Sequence, residues 1–107
     1  MDRKIENRED IESYLEENLE FLKETFKISK IGLFGSFSRD KADENSDIDL
    51  IVEFEGEVDI FEMKEKLREF FHESLGREVD IVREKYLKPR AKERILEEAI
   101  YLSLIHI

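Results

Sequence analysis

The segment Ser46-Asp47-Ile48-Asp49-Leu50-Ile51-Val52 constrains the fold of this 107-residue chain more than any other. In a strand, successive side chains alternate between faces, so Asp47 and Asp49 point one way while Ile48 and Leu50 point into a core. Strands are depleted in aspartate, and two on one face beside apolar neighbours need a reason. The bland alternative is a solvated strand edge. Gly35-Ser36, a tight turn after an apolar run, precedes this segment, and a third acid, Asp80, interrupts the short apolar run Glu78-Val79-Asp80-Ile81-Val82. If the two acidic strands pair, the three carboxylates converge.

Convergence of this kind has an electrostatic cost. Two bare carboxylates about 5 Å apart repel by roughly 3 kcal/mol at an effective dielectric near 20. A third adds to this, so the cluster is tolerable mainly with cations between the oxygens. Mg2+ suits such a set, since it prefers oxygen ligands and is commonly held by one or two carboxylates together with substrate phosphates. A zinc site has little to be built from, because the chain has no cysteine and only two histidines, His72 and His106.

The remaining pattern alternates helix and strand. Apolar residues at spacings of three and four (Ile11, Tyr14, Leu15, Leu19, Leu22, Phe26) predict one helix from about Arg8 to Phe26, with Asn7 as its N-cap. Ile28 to Phe34 reads as a strand broken by Gly35. Phe37 to Ala42 can form a short helix, which places Gly35 and Ser36 at a strand-to-helix junction where backbone N–H groups favour an anion. Asp43 to Ser46 reads as a loop and Asp47 to Phe54 as a strand. A helix over Asp59 to Leu75 buries Ile60, Met63, Leu67, Phe70 and Phe71, and Gly76 stops it. After the strand Glu78 to Arg83, Lys88-Pro89 opens a last helix whose apolar face is Ile95, Leu96, Ala99 and Ile100. The class predicted is α/β, a small mixed β-sheet with helices packed against it.

Composition bounds what such a domain can do. The length suits a single domain over residues 1–107, with no room for a second lobe. Charged residues are 43% of the chain and the net charge is -10, which disfavours direct attraction to nucleic acid phosphates and fits a basic protein partner better. Interspersed apolar residues, 40% of the chain, argue against disorder and for helix surfaces laced with ion pairs. The chain shows no apolar run of bilayer length and no leader pattern, so a cytoplasmic protein with no membrane contact is expected. The apolar ending Leu102 to Ile107 is either tucked against the core or part of a partner surface.

The string Gly35-Ser36-Phe37-Ser38-Arg39, then Ser46-Asp47-Ile48-Asp49-Leu50-Ile51-Val52, then Val79-Asp80-Ile81-Val82, resembles the signature of the DNA polymerase beta nucleotidyltransferase superfamily, and within it the minimal nucleotidyltransferase branch. The resemblance covers Ile31 to about Leu102 and implies a polymerase-beta-like fold. It implies that Asp47 and Asp49 bridge two Mg2+ ions and that Asp80 completes the acceptor-side metal and can take a hydroxyl proton. Gly35, Ser36 and Arg39 are then expected to bind the phosphates of a nucleoside triphosphate such as ATP. Arg39 has the alternative of being a surface arginine, and Ser46 either supports the phosphate loop or only caps a turn. Phe37 is the one phenylalanine placed to touch a nucleotide. The residue after the arginine is often glycine in the superfamily and here is Asp40, an extra negative charge beside the phosphates.

Small members of this branch are antitoxins that AMPylate a tyrosine of a helical HEPN-domain RNase toxin. The resemblance therefore implies AMP transfer from ATP to a hydroxyl of a HEPN toxin partner, within a hetero-oligomer. The competing expectation is a non-catalytic antitoxin that neutralises its toxin by binding alone.

Overall fold

The computed structural model describes residues 4–102. Helix α1 (Arg8–Glu17) starts with a reciprocal cap: the Asn7 side chain accepts from the Asp10 N–H at 3.0 Å, and the Asp10 carboxylate accepts from the Asn7 N–H at 3.3 Å. The expected single helix to Phe26 is divided at Asn18, where α2 (Leu19–Phe26) begins. Asparagine competes for local backbone partners. Here the backbone N–H and side-chain Nδ2 of Asn18 both donate to the Tyr14 carbonyl, at 3.2 and 2.8 Å. The apolar stripe survives the break, for Ile11, Leu15, Leu19 and Leu22 are all buried.

Strand β1 (Ile28–Phe34) leads into a four-residue helix, α3 (Gly35–Ser38), which starts at the turn itself rather than at Phe37 and ends four residues before Ala42. Strand β2 (Ile48–Phe54) follows, and Asp47 lies just outside it. Helix α4 (Ile60–Leu75) is capped by Asp59 and ends at Gly76, whose φ of +67° is the left-handed conformation that glycine adopts without a Cβ penalty. It buries Leu67, Phe71 and Leu75, while Ile60, Met63 and Phe70 are only partly covered. Strand β3 (Val79–Val82), a 3-10 turn (Glu84–Tyr86) and α5 (Pro89–Glu98) come next. Ile100 leaves the last helix: Ala99 turns to ψ 134°, and Ile100–Tyr101 form β4.

The sheet order is β3-β2-β1-β4, with β1 antiparallel to β2 and β4, and β2 parallel to β3. A parallel pair cannot be joined by a tight turn, and α4 is the crossover that joins this one. Alternation divides the sheet into unlike faces. Ile31, Leu33, Ile48, Leu50, Val52, Val79 and Ile81 belong to the large core with residues of α1, α2 and α4. Phe34, Ile51 and Val82 point the other way and pack with α5 and its flanking residues, through Ile95, Leu96, Ala91, Leu87 and Ala99.

Candidate active site

The acids lie on the α5 face of the sheet. In the parallel ladder Asp49 is the direct partner of Asp80, and in the antiparallel ladder it is the partner of Phe34, the residue before Gly35. Directly opposed strand residues are about 5 Å apart. The two carboxylates and the turn therefore meet at one end of the sheet because of register. Asp49 is half-buried, whereas Asp47 and Asp80 are exposed. The Asp49 carboxyl is pushed up to about 6, chiefly by burial, then by the charges of Asp80, Asp47 and Glu98, with Arg39 pulling it down.

Gly35 has φ +74°, and a Cβ there would overlap Asp49 Oδ2 and lie 2.9 Å from Asp49 Cγ. Only glycine lets the turn pass this close to the carboxylate. The Gly35 N–H donates to Glu98 Oε1 at 3.1 Å, and the Ser38 hydroxyl donates to the Gly35 carbonyl at 2.9 Å. Arg39 stands half-exposed after the turn with Nε 3.7 Å from Glu98 Oε2. Asp40 has φ +59°, a left-handed conformation in which an L-residue is strained. That conformation gives the physical reason why glycine suits this position, and aspartate is one of the few other residues that tolerate it.

Two expectations separate from this cluster. Ser46 faces the Asp43 turn: its hydroxyl accepts from the Asp43 N–H at 2.9 Å and lies 3.2 Å from Asp43 Oδ1. Phe37 is 0% exposed and belongs to the large core, so it has no free face for a nucleotide. His72 is exposed on α4, 3.6 Å from Glu78.

Two residues that motif reasoning passed over join the elements of the site. Glu98, at the end of α5, reaches both ends of the Gly35–Arg39 turn. Arg77 donates to the carbonyls of Asp43, Ser46 and Ile5 at 3.1, 2.7 and 2.8 Å and lies 5.1 Å from the centre of the Phe37 ring. It thereby ties the loop before Asp47 and the floor of the turn to the approach to β3. Arg77 had a faint signal, an arginine three residues before an in-strand aspartate. Glu98 had none, since its partners Gly35 and Arg39 lie far from it in the sequence.

The donor set is all oxygen, and its excess negative charge is of the kind a hard divalent cation relieves. Among the described residues no three His, Cys, Asp or Glu side chains converge tightly enough to hold a metal by themselves.

Comparison with known proteins identifies the family. Residues 15–102 match the family model described as the nucleotidyltransferase domain. The chain belongs to this family and is a nucleotidyltransferase of its minimal branch. It is 37% identical over 94 residues to the protein adenylyltransferase MntA of Thermococcus cleftensis, covering 88% of this chain and 94% of that one. A solved structure described as a minimal nucleotidyltransferase superposes with a TM-score of 0.73 at 34% identity, over 90% of this chain and 96% of its own. A toxin-antitoxin crystal structure with AMP-PNP shares the fold at a TM-score of 0.66 and 24% identity, over 82% of this chain and 72% of that one. Among the described residues no helix is long and apolar enough to cross a membrane.

Proposed function

We propose that this nucleotidyltransferase moves AMP from ATP onto a hydroxyl, a tyrosine's, of a HEPN-type toxin partner in the cytoplasm, and so acts as an antitoxin. The observation that carries the site is the register that sets Asp49 beside Asp80 and against the Gly35 turn. The acceptor is supported by the adenylyltransferase relative and by the fold shared with antitoxins solved alongside their toxins, among them the MNT antitoxin bound to a tri-AMPylated HEPN toxin of Shewanella oneidensis.

In this reading Asp47, Asp49 and Asp80 hold two Mg2+ ions, which supply charge neutralisation for the triphosphate and the reacting oxygens. Gly35, Ser36 and Arg39 hold the β and γ phosphates. Ser46 contributes indirectly, by fixing the turn that leads to Asp47. The acceptor oxygen bonds to the α-phosphorus, the bond from that phosphorus to the bridging oxygen breaks, and pyrophosphate leaves. Asp80, exposed at the sheet end, takes the hydroxyl proton. A partner that docks the tyrosine in line supplies positioning worth roughly 7–11 kcal/mol, so free tyrosine should be a very poor acceptor.

Intact-mass spectrometry of the chain mixed with its cognate toxin, ATP and Mg2+ tests the reading. An AMP-sized adduct on the toxin that disappears with Asp47→Asn is expected. Complete neutralisation of the toxin without any adduct overturns transfer and leaves neutralisation by binding.

A further inference from the structure

Among the described residues, Glu98 is a carboxylate on the α5 side that touches the phosphate turn without belonging to the superfamily motif. Its side chain is 18% exposed, and its two oxygens are divided between two tasks. One accepts the Gly35 N–H at 3.1 Å. The other sits 3.7 Å from Arg39 Nε, and the Nε contact is the only ion pair recorded for that guanidinium among the described residues.

A guanidinium presents five donors in a planar fork. An ion pair on the Nε side, at 3.7 Å, restrains the side chain and leaves the terminal nitrogens for a second, bidentate anion. Arg39 is 53% exposed, so without a partner its long side chain samples many rotamers, and ordering it on binding carries an entropic cost. The Gly35 contact works on the same turn. The N–H lies at the strand-to-helix junction, where the left-handed backbone must stay beside Asp49, and the side chain of Glu98 supplies its acceptor.

We propose that Glu98 is a positioning residue of the nucleotide site, which fixes the Gly35 turn and aims the Arg39 guanidinium at the triphosphate. The proposal rests on the reading that this turn and Arg39 hold phosphates. It makes an unusual demand on sign. Removing a negative charge from an anion-binding site ordinarily tightens anion binding, because repulsion falls. If Glu98 acts by aiming Arg39, removing its charge weakens binding instead.

The experiment is calorimetric titration of the full chain with Mg2+ and AMP-PNP, with no toxin present so that no acceptor hydroxyl receives AMP, for the wild type, Glu98→Gln, Arg39→Ala and the double variant. Glu98→Gln keeps an oxygen for the Gly35 N–H and loses only the charge facing Arg39, so the fold is retained and thermal melting verifies it. The expected result is a Kd raised about three- to tenfold by Glu98→Gln, with no further rise when it is added to Arg39→Ala, as for two residues acting as a unit. A merely structural Glu98 would give no such dependence on Arg39. An unchanged or lowered Kd in Glu98→Gln, or an equal penalty in the Arg39→Ala background, overturns the positioning role while leaving the phosphate-turn reading intact. A wild-type chain that binds no AMP-PNP overturns both.

Discussion

The two faces of the sheet are built from the same strands and do opposite things. On one, Leu33, Leu50, Val52 and Ile81 pack under α1, α2 and α4, and almost every side chain is out of water. On the other, only Phe34, Ile51 and Val82 meet α5, and the rest of that face carries Asp49, Asp80 and Glu53. Glu53 itself is occupied, accepting from the Glu84 N–H at 3.0 Å and pairing with Arg83 at 3.5 Å. The Asp49 carboxyl is raised, by burial first and then by the charges of Asp80, Asp47 and Glu98, with Arg39 pulling it down. The difference teaches where the molecule spends its stability. The apolar face holds the strands in register firmly enough that like charges can be kept together on the other.

That division predicts that activity and stability can be broken separately. The largest effect is expected from Asp49→Asn, a nearly isosteric change at the point where the two ladders and the turn meet. Loss of about 4 kcal/mol of transition-state stabilisation corresponds to a roughly thousandfold slower transfer. Urea denaturation without metal should show a midpoint equal to or above that of the wild type, because a half-buried negative charge among like charges is gone. A variant that transfers AMP at the native rate would remove Asp49 from the chemistry.

Phe71→Ala should do the reverse. Phe71 is 0% exposed and stacks edge-on with Tyr14 and Phe70, with centroids 6.1 and 5.5 Å apart. Its loss should cost about 3–5 kcal/mol in denaturation, while the fraction that remains folded keeps its nucleotide affinity. If affinity falls in proportion to stability, the faces are not separable in this way.

Gly35→Ala tests the seam between them. The new methyl must enter the space of Asp49 Oδ2 in a left-handed backbone, for which an L-residue costs roughly 1–2 kcal/mol. Both stability and nucleotide binding should fall together, measured by melting and by titration with an ATP analogue.

The smallest effect is a pH dependence. The Asp49 carboxyl is raised from 3.8 to about 6 in the fold, so the native state holds this proton more tightly than the unfolded chain does. The cost of ionising it is fully present above pH 6 and is relieved as pH falls through 6 towards 3.8. Without metal, the stability difference between Asp49→Asn and the wild type should therefore shrink between pH 7 and pH 4. A difference that stays constant over that range would mean the carboxyl is not raised.

Much of this was legible in the chain. The periodicity of Ile48 to Val52 placed Asp49 opposite the core, and Gly35 marked the strand-to-helix junction, because both signals are local and the backbone enforces them. The break at Asn18 was not, since an asparagine inside a good apolar stripe is usually tolerated and only its two bonds to the Tyr14 carbonyl reveal the division. Strand β4 was hidden too. Two residues give no periodicity, and Ile100 and Tyr101 are extended because β1 offers them partners at Leu33 and Gly32.

The sequence by itself determined the class of fold, the face on which the strand aspartates stand and the need for glycine at the turn, all of which follow from residue type and spacing of two or of three to four. Tertiary structure alone decided which residues serve those acids. Phe37 went into the core rather than to a nucleotide, and Ser46 turned to Asp43. Arg77 and Glu98 reached partners brought near only by folding. Spacing can announce what a strand places on one face; it carries no information about which distant side chain packing will bring to meet it.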